Sequence, residues 1–529
     1  MAKFNIFRAR PAGTSPVATA PRPAVRTYEG GDGYVRNTKS ELFLLAVSNM
    51  GGEHTFYESG GQRDARFAQL VRAAALSDPE WTARLLKWLR GEANMRTASL
   101  VGAAEFVLAR LLSGSDAGVT NRAVVDSVLQ RADEPGELLA YWTSTNGRRV
   151  PKPIKRGIAD AVRRLYDERA ILKWDSDARG FRMADVLNLA HPSPGASWQG
   201  SLFQYVLDRR RDADVAVPAE LRVIAARREL MAWPVEERRA LFGRPDAADV
   251  LRRAGMTWEA VAGWLQGPLT REVWEALAPS MGYMALLRNL RNFDEAGMSD
   301  EVAATVAARL ADPGQVARSR QFPFRFLSAY EAAPSLRWGH ALDQALQASL
   351  SNLPALPGRS LILVDTSGSM TGGRISQHSK VTPAKAAAVF GVALGVKGER
   401  VDVRGFADGV FTHVLPRGGS VVREVDRFLQ RIGEVGYGTD IAGSLARTYD
   451  GHDRVFIISD MQTVAGHDGK GISDLVPRHV PIYGFNLGGY AQAAYATGGA
   501  NRHEFGGLTD ATFRMVPLLE AGRNADWPF

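Results

Sequence analysis

Asp365, Ser367 and Ser369 stand at alternate positions in the run Asp365-Thr366-Ser367-Gly368-Ser369, so one carboxylate and two hydroxyls share a short loop. Farther along, Thr439 follows Gly436-Tyr437-Gly438, and Asp460 follows the apolar run Val455 to Ser459. Two carboxylates and three hydroxyls form a hard, all-oxygen donor set. Such a set suits Mg2+, or alternatively Mn2+, with waters completing an octahedron. The hydroxyls bring no charge, so the cation stays electrophilic and an outside carboxylate can take the open position. A lone Asp-x-Ser-x-Ser is common in loops. Its place directly after an apolar run, with Thr439 and Asp460 at the ends of later elements, is what points to a metal. The loop is expected to be exposed.

A second chemistry is cationic. Arg148, Arg149, Lys152, Lys155, Arg156, Arg163 and Arg164 lie between Asn146 and Arg164, with Asp160 the only acid. Pro151 and Pro153 precede a helix expected to begin near Ile154. Lys155 and Arg156 then fall on its first turn, where the helix dipole does not favour cations. An anionic partner would offset that, whereas a merely solvated face would mix signs more evenly. Lys173-Trp174, Arg179-Gly180-Phe181 and the stretch ending in His191-Pro192 add cations and aromatics suited to phosphate contact and base stacking. Taken singly, His191 reads as a capping or packing histidine and Trp174 as core.

The elements that must carry these groups change character along the chain. From Lys39 to Leu353, short amphipathic runs at helical spacing alternate with Gly, Pro or Asp-Pro. In Trp81, Leu85, Trp88 and Leu89 the apolar residues recur at three and four, on one helical face. Short helices in a long series imply stacked pairs, as in an α-solenoid, with an irregular bundle as the competitor. Further helices are expected over 41–50, 98–112, 119–130, 154–169, 183–190, 281–290 and 302–310. Pro354, Pro357 and Gly358 read as a linker. Beyond it, strands over 361–364, 401–406, 411–415, 455–459 and 482–487 alternate with helices over 383–396 and 421–432, the pattern of a doubly wound α/β domain.

Composition narrows the function. The 529 residues exceed one compact core, and with 45% hydrophobic residues against 23% charged the chain is globular, not disordered. The formal charge is +8; residues 358–529 hold 18 basic and 17 acidic side chains, leaving 47 against 40 in residues 1–357. The basic excess therefore sits on the helical part, which favours a polyanion there. Without cysteine, thiolate zinc sites, disulfides and cysteine nucleophiles are excluded. Lys3, Arg8, Arg10, Arg22 and Arg26 are interspersed with prolines, so the N-terminus reads as a flexible basic arm rather than a signal peptide. No run of about 18 apolar residues exists, so a cytoplasmic protein with no membrane contact is expected. Walker A, nucleophile-elbow and His-Glu-x-x-His motifs are missing, and catalysis is not expected.

At Asp365, Ser367, Ser369, Thr439 and Asp460 the C-terminal part resembles the von Willebrand A family, whose metal-ion-dependent adhesion site (MIDAS) uses this set. Gly147-Arg148, the basic helix, Lys173-Trp174, the Leu-x-Leu-Ala-His-Pro run, Leu286-Leu287-Arg288-Asn289-Leu290 and Phe322-Pro323-Phe324-Arg325-Phe326 resemble the TROVE module of Ro proteins. The order of the two modules is itself characteristic of the Ro family. The resemblance implies a ring of HEAT-like helices with a central hole for single-stranded RNA ends, and an outer basic surface for Y RNAs. By motif position, Lys173, Arg179 and His191 match RNA-contacting positions, and Arg148 to Arg156 are further candidates. Pro151 and Pro153 depart from the family's pattern in that segment.

The expected organisation is an N-terminal arm over 1–30, a helical-repeat RNA-binding domain over 31–357, and a Rossmann-like von Willebrand A domain over 358–529. The expected function is binding of small noncoding, Y-like RNA and single-stranded ends of misfolded RNA, in RNA quality control or as a ribonucleoprotein scaffold for an exoribonuclease. A monomer is expected. The competing reading is a metal-dependent protein-protein adaptor without RNA, its metal engaging an acidic protein ligand. A continuous basic face on the helical half would separate the two.

Overall fold

The computed structural model of the chain describes residues 12–48, 51–115, 117–176, 180–376, 379–416, 418–499 and 501–529. Among them, twenty α-helices run from Thr38–Ser48 to Leu336–Ala348 with no intervening strand. Their boundaries follow local chemistry. The helix Pro79–Gly91 starts where the Asp78 carboxylate accepts the Trp81 N–H, with Pro79 in the first turn where no N–H is needed. Its Trp81, Leu85, Trp88 and Leu89 are all buried, as their spacing predicts. The single helix expected over 154–169 is two, Lys152–Leu165 and Glu168–Trp174, because the Asp167 carboxylate accepts the Ala170 N–H and starts the second.

The helices pack in neighbouring pairs. Gly157 allows one close approach: a Cβ there would meet the Val125 side chain at 2.6 Å and the Arg122 carbonyl at 2.7 Å. The array also returns on itself. Arg320, near its end, donates to the Gln130 side chain at 2.6 Å, and Asn94 donates to the Arg320 carbonyl at 2.7 Å.

The strands, in chain order, are β1 (Val25–Arg26), β2 (Asp32–Val35), β3 (Leu356–Asp365), β4 (Gly398–Phe406), β5 (Val410–His413), β6 (Arg454–Ser459), β7 (Ile482–Asn486), β8 (Gln492–Ala493) and β9 (Arg502–Gly506). Six form one sheet in the order β5-β4-β3-β6-β7-β9, with only the edge strand β5 antiparallel. β3 and β6 are buried over nearly their whole length, which explains their unbroken apolar character. Between β3 and β6 the strand order reverses direction, and the crevice beyond their carboxyl ends is where open α/β sheets bind ligands. The expected linker at Pro357-Gly358 lies inside β3, whose register shifts between Leu356 and Arg359; Gly358 sits at φ +78°, open to glycine.

The N-terminal segment differs most from expectation. Lys3, Arg8 and Arg10 lie outside the described residues, but from residue 12 onward the chain is strapped onto the α/β half. Val17 is fully buried, Ser15 bonds to His503 at 3.0 Å, and β1, β2 and β8 form a small second sheet. Arg36, fully buried, makes a bidentate ion pair with Glu504 on β9 and donates to the carbonyls of Tyr490 and Ala491. The C-terminal Trp527 and Phe529 pack back against Phe43, Trp81 and Trp88 of the first helices. Residues 31–357 and 358–529 are thus joined through both ends of the chain. No helix among the described residues is long and apolar enough to cross a membrane.

Candidate metal centre and nucleic-acid interface

β3 ends at Asp365, and the next residues turn into the short helix Gly368–Gly372, so Ser367 and Ser369 project at the carboxyl end of the sheet. The Asp365 carboxylate accepts the Ser367 N–H at 2.8 Å with one oxygen and the Ser459 hydroxyl at 2.6 Å with the other. Ser367 and Ser369 hydroxyls lie 3.2 Å apart. The Gly368 N–H donates to the Tyr437 carbonyl at 2.8 Å, pinning the first loop to the one that carries Thr439. Thr463 and Val464 donate to the Thr439 carbonyl, tying that loop to the Asp460 turn. The three loops that carry the predicted donors are therefore tied together at the carboxyl ends of β3 and β6.

The electrostatics fit a cation. Burial pushes the Asp365 carboxyl above the usual carboxylate range, and burial with the nearby Asp365 charge does the same to Asp460. One Asp460 oxygen, Oδ2, is buried without a hydrogen-bond partner among the described residues. An orphaned carboxylate oxygen beside a second buried carboxylate is costly unless a positive charge lies between them. Among the described residues there is no cluster of three or more His, Cys, Asp or Glu arranged to hold a metal; the set predicted here has two carboxylates and three hydroxyls. The loop is not exposed as expected: the five residues range from 0% to 6% accessible.

The basic segment is arranged for solution contact. Trp142 holds the Arg149 carbonyl through its indole N–H at 3.0 Å, and the helix Lys152–Leu165 begins two residues earlier than expected. Pro151 caps it and Pro153 occupies its first turn, where a missing N–H costs nothing. Arg148, Arg149, Lys152 and Arg156 are exposed and Lys155 is half-buried. The nearby acids are taken: Asp160 by Arg122 and Asp126 by Arg164. None of the five cations has an acidic partner among the described residues.

Lys173 stands apart from that run, at the end of the helix Glu168–Trp174. It lines a cleft of about 280 Å3 with Arg169, Arg252, Met256 and Trp258. Trp174 is half-buried and packs against the hydrophobic core, and its ring also carries the Arg131 guanidinium at 4.4 Å and the Lys173 ammonium at 4.8 Å. His191 ends the helix Met183–Ala190 in a left-handed conformation, its N–H donating to the Leu187 carbonyl, with its ring exposed. Arg179 lies outside the described residues.

Sequence reasoning missed the rest of the cleft, because Arg252 and Trp258 lie some eighty residues beyond Lys173 and carry no local signal. It also left Arg325 within a motif without a role. Arg325 is half-buried beside Asn94, Arg96, Arg131 and Phe322, its guanidinium pKa lowered by burial and by Arg288.

Residues 251–338 match the TROVE domain, so the chain carries that domain in the part of the helical array that includes Arg252, Trp258 and Arg325. The chain is similar to the RNA-binding protein RO60 of Deinococcus radiodurans, 28% identical over 410 residues that cover 73% of each protein. The crystal structure of the Ro (RSR) protein of that bacterium superposes with a TM-score of 0.58 at 19% identity, covering 90% of this chain and 99% of the other. A shorter match, 42% identical over 66 residues, is to telomerase protein component 1 of Mus musculus; it spans 12% of this chain and 2% of that protein.

Proposed function

We propose that the protein binds RNA through its helical half. The observation that carries this reading is the run Arg148, Arg149, Lys152, Lys155 and Arg156, five cations at and just before the start of the helix Lys152–Leu165 that have no acidic partner among the described residues, in a chain similar to an RNA-binding protein. Unpaired cations on a surface are the electrostatic footing for a phosphate backbone. The cleft formed by Lys173, Arg169, Arg252 and Trp258 adds an aromatic face on which an unstacked base can lie. The preferred ligands are small noncoding, Y-like RNA and single-stranded ends of misfolded RNA, with the protein acting in RNA quality control or as a scaffold for an exoribonuclease. A closed, HEAT-like ring is supported by the bonds from Arg320 and Asn94 that join the end of the array to its start. The protein acts by binding, not by catalysis.

The α/β half is read as a von Willebrand A-like domain with a MIDAS. Asp365, Ser367, Ser369, Thr439 and Asp460 would hold Mg2+ or Mn2+, which supplies the positive charge that two buried carboxylates require. The RNA footing and this site lie on different halves, so the two ligands bind independently. The test is sequencing of RNA that copurifies with the native protein, followed by a mobility shift of that RNA with and without chelator. A specific small RNA retained in chelator is the expected result. No copurifying RNA would refute the reading, and loss of RNA from folded, metal-free protein would move the contact to the metal site.

A further inference from the structure

The start of the helix Arg96–Ser113 with the two residues before it, the Arg131 side chain, and the start of the helix Pro323–Ala332 line a cleft of about 260 Å3. Asn94, Arg96, Thr97, Arg131 and Arg325 bring its polar groups, and no carboxylate is among the described residues that line it. These residues come from three distant parts of the chain. They meet because the end of the helical array returns to its start, where the Asn94 amide donates to the Arg320 carbonyl at 2.7 Å.

Three guanidiniums lining one small cleft repel one another unless acids offset them. Two of the three are matched in this way. Arg131 forms a bidentate pair with Asp133 at 2.5 and 2.6 Å and lays its face on the Trp174 ring at 4.4 Å. Arg96 pairs with Glu137 at 3.3 Å and more loosely with Asp133 at 3.9 Å. Arg325 has no such match. It is half-buried, and its guanidinium has neither an acidic partner nor a hydrogen-bond acceptor among the described residues. It stands on the first turn of its helix, where the dipole disfavours a cation. Burial first, and then the charge of Arg288 on the helix Tyr283–Arg288 packed alongside, hold its pKa below the ordinary guanidinium value. Arg288 likewise has no acidic partner among the described residues. A half-buried, unpaired guanidinium in a cleft it shares with other cations is costly by itself, and an anion there would remove that cost.

The arrangement also selects the anion. A carboxylate is flat and is filled by one guanidinium fork, whereas a phosphate presents oxygens in several directions and accepts from several guanidiniums at once. The cleft has room for a phosphate group and not for a stem of paired bases. We propose that it is a phosphate-binding site in which Arg325 is the principal ligand, with Arg96 and Arg131 on either side of the same anion. The phosphate belongs either to an RNA strand or to a free phosphate compound, since both present the same oxygens. The site shares no residue with the run Arg148 to Arg156, so it does not rest on the reading of that run.

The test is a calorimetric titration of the full chain, in chloride buffer, with inorganic phosphate and with a single-stranded oligouridylate. Arg325→Met keeps the apolar stem and removes the fork, and is expected to weaken phosphate binding roughly ten- to a hundredfold. Arg325→Lys keeps the charge without the fork, and a smaller loss is expected; this variant carries the comparison should Arg325→Met fail to fold. An oligouridylate that binds more tightly than inorganic phosphate, and loses that advantage in Arg325→Met, would place the phosphate on an RNA strand. Comparable affinity for the two probes, lost together in Arg325→Met, would make the ligand a free phosphate compound. Equal affinity for both probes in the parent and in folded Arg325→Met and Arg325→Lys would overturn the site. So would a parent that binds neither probe, or a phosphate affinity lost in Arg148→Ala with Arg149→Ala but kept in Arg325→Met.

Discussion

His503 shows how a single side chain reports on the strap. It lies on β9 with 1% of its surface accessible, accepts or donates a bond to Ser15 at 3.0 Å, and stacks against Tyr483. Burial first, and the neighbouring Arg502 second, push its pKa down from 6.5 to about 4. Above pH 6.5 the ring is neutral whether the chain is folded or not. As pH falls from 6.5 to 4, the unfolded chain takes up a proton that the folded one refuses, so stability is lost across that window. The loss is on the order of 3 kcal/mol at its fullest. Urea unfolding at pH 7 and pH 4.5 should show a smaller acid loss in His503→Gln than in the parent; the same loss in both would place the acid sensitivity elsewhere. No residue pattern announces this histidine. The loop proposed to hold a metal, by contrast, could be placed from sequence because Asp365 ends an apolar strand and alternation then fixes which residues share its loop. What spacing did not convey is their depth; Thr27, Tyr28 and Gly31, hundreds of residues away in sequence, bond to Gln462 and Thr463 on the turn after Asp460.

At the level of elements, the helices and the strands β3 to β7 of the α/β half were readable wherever an apolar period was unbroken and a cap or proline marked the start. β9 was not, because Arg502, His503 and Glu504 look like a polar loop. It becomes a strand because each of its polar groups finds a buried partner. Glu504 takes the Arg36 guanidinium and the Asn486 amide, and Arg502 donates to the carbonyls of Val480, Ser473 and Val476. The same logic turned the expected free arm into a strap: Arg36 is 0% accessible at its side chain and Glu504 1%. Removing one partner of such a pair leaves a buried charge uncompensated. Arg36→Ala is therefore expected to cost about 3–5 kcal/mol, read as a lower urea midpoint, and to loosen β2 from β8. A loss below 1 kcal/mol would show that the strap contributes little to holding the α/β half.

For the whole molecule, the charge asymmetry seen in the sequence has a structural counterpart. The excess of cations belongs to the helical half, the proposed cation site lies in the α/β half, and the N-terminal segment and the C-terminal aromatics cross between them. Local patterning could not foresee that crossing, because Arg36 pairs with Glu504 and Trp527 packs on Phe43 only once the whole chain has folded. Nor could it assemble the cleft of Lys173 with Arg252 and Trp258. The central claim is that RNA is held by phosphate contacts on the helical half. The most direct measurement is RNA affinity as a function of salt for the parent chain and for a variant with Lys155, Arg156 and Lys173 all changed to alanine. Each lost phosphate contact lowers the log–log slope by about 0.7 on a single strand, so the triple variant should bind more weakly with a slope shallower by about 2. A triple variant that keeps both the affinity and the slope of the parent would contradict the account.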